Sequence, residues 1–370
     1  MTMATRYPLL GGVRKIAVLR PNAVGDFVFA LPALHALKHS YPDAELVLVG
    51  KAWHRAFLDG RPGPVDRVVE MPPVPGVGMP IDAPASDAEA RPDEPEAVTR
   101  FIGRMRDERF DLALQMFGGG LHSNPFLLRF GARLTVGARA PDAPALDRSL
   151  PYREPVNRRL ALLEIAALAG AWPGPLPLPE LAVTARDRLE AARALPPLPG
   201  ERLVLLQPGS SDPRRRWPAQ RFALLGDLLA QQGARIAVNG TLDEAALVAE
   251  VVGRMRQPAV NLAASRANAL GLGGLCGLLE RAALVVSNDT GPLHLALALG
   301  VPSVGIFWLT NLLEGMPLRP SGLHAALAVR TRCAVCGQDN LMRRCAHDDS
   351  FVDEVSLDEV AALARSALYQ

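Results

Sequence analysis

The sequence predicts two α/β domains, each built on a parallel sheet with helices between its strands. Three observations lead to this fold class. The chain has 370 residues, more than the roughly 100–200 residues of an ordinary domain. Short apolar runs alternate with helical stretches in both halves, which is the pattern of βαβ units. A proline-rich stretch at 173–179 separates the two halves and marks a linker.

The first half begins with a predicted strand at 15–20, a short loop at 21–25 and a helix from Asp26 to about His39. Further apolar runs predict strands at 45–49, 112–116 and 134–136. The N-terminal domain is therefore expected to cover residues 1–178.

One segment of the first half, residues 72–97, breaks this alternation. It holds many Pro, Ala, Asp and Glu residues and no hydrophobic period, so we interpret it as a surface loop or insertion. The insertion is either a functional lid or inert, and the composition favours the inert alternative.

The second half repeats the alternation and predicts a C-terminal domain over residues 179–352. Its expected strands lie at 203–207, 235–239, 283–287, 303–307 and 325–329, with helices at 218–232 and 243–256. The segment 353–370 is expected to form a C-terminal helix, because apolar residues recur at helical spacing from Leu357 to Leu368.

The composition excludes several classes of protein. Hydrophobic residues make up 49% of the chain and charged residues 21%, which is typical of a globular protein rather than a disordered one. The net charge of +2 does not call for a nucleic-acid partner. We find neither a signal segment nor an apolar run of about 20 residues, and we therefore expect a cytoplasmic protein.

The strand-to-helix turn at 287–294, Ser-Asn-Asp-Thr-Gly-Pro-Leu-His, is the first candidate ligand site. In open α/β sheets, ligands bind where strands end and helix N-termini present free N–H groups. Asp289 or Thr290 suits the N-cap, and Gly291 permits close approach of a ligand to the backbone. A well-capped buried helix would explain most of this turn but not His294, which is either a core residue or a ligand contact.

The second candidate is the loop that follows the predicted strand at 203–207. It contains Ser210, Ser211 and three arginines at 214–216, ahead of a Trp-Pro pair and a helix. Any single arginine here is more simply a solvated surface charge. Two hydroxyls and three guanidiniums together favour a diphosphate site.

The third candidate is the turn at 20–25, which leads into Asp26 at the start of the first helix. Gly25 suits the turn. Asp26 has two interpretations: it caps the helix, or it presents a carboxylate that acts as a general base.

A cysteine cluster near the C-terminus has the spacing Cys333-x2-Cys336-x8-Cys345-x-His347. Three thiols and an imidazole are ligand types for zinc. The second pair is not spaced as in a zinc knuckle, so we favour cysteines without metal in a C-terminal loop and expect no cofactor. Cys276 lies apart in a predicted helix and is expected in the core.

The three turns together resemble glycosyltransferase family 9, the lipopolysaccharide heptosyltransferases and their relatives. The resemblance is carried, in this order, by RPNAVGDFVFALPALHAL at 20–37, QPGSSDPRRRWPAQRFALL at 207–225 and SNDTGPLHLALALGVPSVGIF at 287–307. The cysteine-containing tail at 333–345 is similar to the C-terminal region of the family. The resemblance therefore covers nearly the whole chain.

This resemblance implies a GT-B fold, in which two Rossmann-like domains face each other across a central cleft. It implies an inverting transfer that needs no metal, with the nucleotide-sugar donor on the C-terminal domain and the acceptor mainly on the N-terminal one. Asp26 then corresponds to the catalytic base, and Asn22 and Gly25 belong to the acceptor side.

The donor-binding residues implied by the resemblance are Ser210, Ser211, Arg215, Asp289, Thr290, Gly291 and His294. Arg215 stands where the family carries a lysine; either cation can hold a diphosphate, but the forked guanidinium need not hold it in the same geometry. The expected donor is ADP-heptose, and the expected acceptor is a glycan or glycolipid of the lipopolysaccharide core. Peripheral contact with the inner membrane face is also expected.

Three other functions remain open on the sequence. A nucleotide-sugar epimerase with the same fold would use a donor but no acceptor. An inactive scaffold would bind a nucleotide sugar without turnover, although retention of Asp26 argues against it. A nicotinamide-dependent oxidoreductase is disfavoured, because the first strand–turn–helix lacks Gly-x-Gly-x-x-Gly.

Overall fold

The computed structural model describes residues 7–81, 94–263, 270–319, 322–341 and 343–369. The chain divides into two compact units, Met1–Ala182 and Val183–Gln370. The proline-rich stretch at 173–179 belongs to the first unit. Among the described residues, no helix combines the length and the apolar character needed to cross a bilayer.

The first unit is built on a six-stranded parallel sheet. Its strands are β1 (Lys15–Leu19), β2 (Glu45–Gly50), β3 (Arg67–Glu70), β4 (Val74–Pro75), β5 (Gly78–Met79), β6 (Leu112–Gln115), β7 (Leu134–Arg139) and β8 (Arg148–Pro151). Its helices are α1 (Val24–Ser40), α2 (Ala52–Leu58), α3 (Glu94–Asp107), α4 (Ser123–Leu128) and α5 (Arg158–Leu168). The sheet has the order β3-β2-β1-β6-β7-β8, and β4 and β5 pair separately.

The second unit is built on another six-stranded parallel sheet. Its strands are β9 (Leu203–Gln207), β10 (Arg235–Val238), β11 (Ala259–Asn261), β12 (Leu284–Asn288), β13 (Ser303–Trp308) and β14 (Leu323–Ala328), in the order β11-β10-β9-β12-β13-β14. Its helices are α6 (Ala185–Ala194), α7 (Ala219–Gln231), α8 (Ala245–Arg254), α9 (Leu272–Arg281), α10 (Gly291–Ala298), α11 (Leu309–Gly315) and α12 (Leu357–Tyr369). Short 3₁₀ turns lie at Pro213–Arg215 and Leu242–Glu244.

Both sheets have the 3-2-1-4-5-6 strand order of a Rossmann fold when only the strands of each six-stranded sheet are counted, which leaves out β4 and β5. The direction of winding reverses between β1 and β6 in the first unit and between β9 and β12 in the second. Leu19 pairs with Gln115, and Ser287 pairs with Gln207, so the neighbouring strands end at nearly the same level. Ligands of open α/β sheets bind at such switch points.

The central strands explain why the sequence folds in this way. All five residues of β9 and of β12 are buried, as expected for parallel strands that are covered by helices on both faces. The core of the second unit includes Trp217 and Phe222, whose rings meet edge to face with centroids 5.1 Å apart. Cys276 is buried in α9, as expected.

The structure corrects the predicted bounds of two segments. Residues 94–97 begin helix α3 and do not belong to the insertion; residues 82–93 of the predicted insertion lie outside the described residues. The apolar residues that anchor this helix start only at Val98, so its first turn has no hydrophobic signal. The C-terminal helix begins at Leu357 rather than at 353, because the Ser356 hydroxyl accepts a hydrogen bond from the Glu359 N–H and starts it there.

Candidate functional site

The switch point of the second unit is held together by Asn288, the last residue of β12. Its side-chain oxygen accepts a hydrogen bond from the Trp217 N–H at 3.0 Å, and its Nδ2 donates to the Pro208 carbonyl at 2.7 Å. Asn288 is fully buried. It therefore fixes both ends of the loop after β9 against the loop after β12, which are two of the three turns that the sequence singled out.

Asp289 is the centre of a buried polar network at this switch point. Its Oδ1 lies 3.0 Å from His294 Nε2, and its Oδ2 accepts hydrogen bonds from Arg215 Nη1 at 3.1 Å and Asn311 Nδ2 at 2.8 Å. Three of its roughly four acceptor positions are thus filled by protein groups. The carboxylate has about one position left for a ligand.

The charge of Asp289 is stabilised despite its burial. Burial by itself raises the pKa of a carboxyl group. The hydrogen bond and charge of His294 and the charge of Arg215 outweigh burial, so the pKa of Asp289 lies below its ordinary value. Asp289 is therefore an anion that orients three side chains, those of His294, Arg215 and Asn311.

Arg215 is held at the switch point with part of its surface open. It lies in the 3₁₀ turn after β9, and its Nε is 3.9 Å from Asp212 Oδ2. The Arg215 side chain is 28% exposed, whereas its partner Asp289 is only 8% exposed. The guanidinium thus keeps donors that a bound anion can reach.

The three arginines at 214–216 have different roles. Arg214 is buried and donates to Asp212 and to Asn340 Oδ1 at 3.0 Å. Arg216 donates twice to the Ser210 carbonyl, at 2.8 and 2.6 Å. Both therefore shape the loop, and Arg215 alone of the three approaches Asp289.

Helix α10 begins beside this guanidinium. Thr290 is its N-cap, although its side chain makes no capping hydrogen bond, and Gly291 is the first helical residue. The helix ends at Ala298, its C-cap is Leu299, and the chain then turns at a left-handed glycine, Gly300. His294 is buried on the first turn, and Ser210 is buried while Ser211 is exposed. The start of α10 thus offers backbone N–H groups, and the loop after β9 offers the exposed Ser211 hydroxyl and the positive charge of Arg215.

Glu244 adds a carboxylate that the sequence did not single out. A β-carbon on Gly209 would lie 2.0 Å from the Glu244 Oε1, so a larger residue at 209 would displace the Glu244 carboxylate from its position. The Thr241 N–H donates to Glu244 Oε2 at 2.9 Å and holds it in place. The sequence signal was a Thr-x-x-Glu capping box, which indicates a helix start but not a ligand site.

The switch point of the first unit places Asp26 in the first turn of α1. The N-cap of this helix is Ala23, so Asp26 is not the capping residue. Its Oδ1 accepts a hydrogen bond from Arg20 Nη2 at 3.2 Å, and its side chain is 38% exposed. The capping alternative is therefore wrong, and the carboxylate is available to solvent.

Arg20 fixes the position of Asp26. It donates to the backbone carbonyl of Asp26 and, across the switch point, to the carbonyl of Met116. Burial lowers the pKa of Arg20 to about 10, and the charge of Asp26 opposes this effect. Arg20 remains a cation at neutral pH, and its side chain is only 6% exposed.

The two predicted acceptor-side residues lie beside this pair. Asn22 precedes α1, and its Oδ1 is buried without a hydrogen-bond partner among the described residues. Gly25 lies inside α1, which starts at Val24, and so it does not make the preceding turn. The helix starts earlier than predicted because Ala23 has the extended backbone of an N-cap even without a capping side chain.

The cysteine cluster is brought together by the fold. The ligand atoms of Cys333, Cys336, Cys345 and His347 lie within 4.8 Å of one another. Cys333 is buried, whereas Cys336 is exposed. Asn340 Nδ2 donates to the Cys345 sulfur at 3.5 Å and is the main cause that lowers the pKa of Cys345 to about 6.

Comparison with known proteins decides the family. The model of glycosyltransferase family 9 (heptosyltransferase) matches residues 98–339, more than half of the chain. The chain belongs to glycosyltransferase family 9. The matched part contains the Arg215 loop and the Asp289 turn but not Asp26. This family 9 chain is a glycosyltransferase of the heptose-transferring class.

Individual relatives agree with this assignment. Lipooligosaccharide heptosyltransferase 2 of Haemophilus influenzae is 24% identical over 310 residues, which cover 80% of this chain and 84% of the relative. A family 9 glycosyltransferase of Veillonella parvula has 16% identity, a TM-score of 0.76 and 99% coverage of both chains. The E. coli ADP-heptose lipopolysaccharide heptosyltransferase II has 18% identity, a TM-score of 0.73, and coverage of 96% of this chain and 98% of its own. These two structures confirm the predicted GT-B fold.

Proposed function

We propose that this family 9 chain transfers a heptose from ADP-heptose, with inversion, to a hydroxyl group of a lipopolysaccharide-core or related glycan. The observation that carries this proposal is Arg215, a partly exposed guanidinium held by a buried carboxylate at the end of β9. A sugar diphosphate is the ligand whose charge and oxygen atoms such a site fits. The names of the H. influenzae and E. coli relatives support heptose as the sugar, and the E. coli name supports ADP as the nucleotide.

The second unit would bind the donor and stabilise the leaving group. As the glycosidic bond breaks, negative charge grows on the nucleotide diphosphate. Arg215, the hydroxyl of Ser211 and the N–H of Gly291 would stabilise that charge, and Ser210, Thr290 and His294 would complete the donor site. Donors that are fixed before the reaction stabilise such charge without reorganisation.

Glu244 would hold the ribose of the nucleotide. It follows β10, the second strand of the unit, and its carboxylate approaches the loop after β9 at Gly209. In Rossmann folds, an acidic residue after the second strand accepts hydrogen bonds from ribose hydroxyls. The position of Glu244 beside Gly209 therefore favours a nucleotide over a simple phosphate as the ligand.

Asp26 would act as the general base of the transfer. Its carboxylate is open to solvent, and Arg20 holds it at the switch point of the first unit. It would remove the proton of the acceptor hydroxyl while the oxygen attacks the anomeric carbon on the face opposite to the nucleotide. Asn22 and Gly25, which precede it in the chain, would lie on the acceptor side. The transfer step itself is proposed to need no metal.

The acceptor determines the proposed location. A lipopolysaccharide-core acceptor is a glycolipid, so we propose that the enzyme works in the cytoplasm at the inner membrane face. The enzyme would associate with that membrane face as a peripheral protein.

Nucleotide binding tests the donor assignment. Titration calorimetry with ADP, UDP, GDP and CDP should show the tightest binding for ADP. Arg215→Ala should weaken ADP binding roughly 10- to 150-fold, because a hydrogen bond to a charged group contributes about 1.5–3 kcal/mol. The control is Arg254→Ala, which removes an exposed arginine of α8 and should leave ADP affinity unchanged. Equal affinity in Arg215→Ala and wild type would remove Arg215 from the donor site.

Turnover distinguishes transfer from the alternatives. With ADP-heptose and a core acceptor, the wild type should release ADP only when the acceptor is present. Isomerisation of the sugar without acceptor would identify an epimerase. ADP binding without release of product would identify an inactive scaffold, and either result would contradict the proposed transfer.

A further inference from the structure

The cysteine cluster of the second unit has the dimensions of a metal site. Four tetrahedral ligands at a zinc–sulfur distance of about 2.3 Å lie roughly 3.8 Å apart. The ligand atoms of Cys333, Cys336, Cys345 and His347 are all within 4.8 Å of one another. A contraction of at most about 1 Å would therefore complete a tetrahedron.

The backbone around the first two cysteines is already folded as a tight turn. The Gly337 N–H donates to the Cys333 carbonyl at 2.9 Å, and the Cys333 N–H donates to the Gln338 carbonyl at 3.0 Å. Gly337 has a φ of 73°, which is strained for any residue with a side chain. This turn keeps Cys333 and Cys336 within one short hydrogen-bonded loop, and their sulfur atoms belong to the cluster within 4.8 Å.

The other two ligands come from a loop that returns to this turn. Nδ1 of His347 is buried and has no hydrogen-bond partner of normal geometry among the described residues. A metal bond through this nitrogen would satisfy it. The Cys345 N–H donates to Asn340 Oδ1 at 3.2 Å, and the Asn340 Nδ2 donates to the Cys345 sulfur. Asn340 would therefore orient the metal ligand Cys345 through hydrogen bonds, without itself binding the metal.

We propose that Cys333, Cys336, Cys345 and His347 bind one zinc ion in a closed, structural site. Three thiolates and one neutral imidazole fill all four positions of a tetrahedral zinc, which leaves no place for substrate or water. Binding displaces the thiol protons to solvent and needs no redox partner. The predicted absence of metal rested on the spacing between Cys336, Cys345 and His347, and the fold removes that objection by returning the chain to the turn.

The cysteine loop and the segment after it are also hydrogen-bonded to the loop that carries Arg215. The Arg214 Nη1 donates to Asn340 Oδ1 at 3.0 Å, so one amide oxygen links the cysteine loop to the arginine loop. The Phe351 N–H donates to the Arg214 carbonyl at 2.7 Å, and the Ser350 hydroxyl donates to the Arg216 carbonyl at 2.7 Å. A metal held by these four ligands would therefore help to order the residues on both sides of Arg215.

Metal analysis of the purified chain tests the proposal without any measurement of sugar transfer. The untagged wild type, grown with added zinc and purified without chelators, should contain one zinc per chain by plasma mass spectrometry. A mercurial reagent should release that zinc from the folded wild type, as followed with a chromogenic chelator. Reconstitution with cobalt should give the ligand-field bands of a tetrahedral ion and a thiolate charge-transfer band.

Matched cysteine variants locate the ion. Cys345→Ser and Cys336→Ser should lose the zinc and the cobalt spectrum. Cys276→Ala, which removes the buried cysteine of α9 outside the cluster, should retain both. Circular dichroism of each variant shows whether it is folded, and the mercurial release from wild type keeps the test independent of variant folding.

Several outcomes would overturn the site. These are a wild type that holds no zinc and takes up no cobalt, zinc that stays in Cys345→Ser, and a disulfide within the cluster in the unreduced mass spectrum. Stoichiometric iron in place of zinc would overturn the identification of the metal. Because none of these readouts depends on turnover, their failure is distinct from failure of the proposed transfer.

Discussion

The switch points of the two sheets both carry an arginine–aspartate pair, but they bury opposite members of it. In the first unit Arg20 is 6% exposed and Asp26 is 38% exposed. In the second unit Asp289 is 8% exposed and Arg215 is 28% exposed. The buried partner fixes the position of the open one, so the first unit presents an anion and the second a cation.

This difference in which partner is buried matches the chemistry proposed for each unit. An open carboxylate can take a proton from a hydroxyl group, and an open guanidinium can bind a diphosphate. The buried partners are held by different means. Arg20 donates to two backbone carbonyls, whereas Asp289 is stabilised by His294, Arg215 and Asn311. The same pair of residue types thus gives two functions because burial chooses which one a ligand meets.

The largest expected effect is on turnover. Asp26→Asn keeps the shape of the side chain and its place beside Arg20 but removes the base. Steady-state rates of transfer should fall about 10²- to 10⁴-fold, the usual contribution of general-base catalysis, while ADP affinity stays unchanged. Asp43→Asn, an exposed carboxylate of the same unit, is the control. A rate within a few fold of wild type would show that the open carboxylate is not the base.

The next effect is on stability and tests whether the two aspartates differ in burial as described. Asp289→Ala should lower the free energy of unfolding by about 3–5 kcal/mol, because it breaks a buried charge network and leaves its donors unsatisfied. Asp26→Ala should cost less, about 1.5–3 kcal/mol, because the buried Arg20 loses one charged partner but keeps its hydrogen bonds to the carbonyls of residue 26 and Met116. Urea titrations followed by tryptophan fluorescence measure both.

A matched control for these titrations is Glu250→Ala, which removes an exposed ion pair of α8 and should cost about 0.3–0.5 kcal/mol. Equal losses in the two aspartate variants would break the comparison, since burial would then not distinguish the two sites.

The smallest effect concerns pH. The pKa of Asp289 is lowered on folding, so its ionised form contributes stability above its unfolded value of 3.8 and loses it as the pH falls through the lower folded value. Between about pH 5 and about pH 3, the wild type should lose stability more steeply than Asp289→Asn, by at most about 1.4 kcal/mol per pH unit. Parallel pH profiles would show that the partners of Asp289 do not hold it ionised.

The central strands and the three turns were predictable because their signals are local. The strands β1, β9 and β12 each contain at least three consecutive apolar residues, and each is followed by residues typical of a helix start. The strands β3, β8 and β11 were missed. They are at or near the edges of their sheets and are only partly buried, so their sequences lack the long apolar run of a central strand.

The roles of particular site residues were less predictable. Asn311 of α11 donates a hydrogen bond to Asp289, which lies 22 residues earlier in the chain. No local sequence pattern predicts this contact. The cysteine spacing argued against zinc, yet the fold places all four ligand atoms together. Asp26 had a capping interpretation that only the observed helix start could exclude.

The sequence by itself therefore determined the alternation of strands and helices, the three candidate turns and the chemical types of their side chains, because these depend on neighbours within a few residues. The tertiary structure decided which member of each arginine–aspartate pair is buried, that Arg214 and Arg216 shape the loop around Arg215, and that the cysteines meet. These properties depend on desolvation and on contacts between distant segments, which arise only when the sheet and its helices have packed.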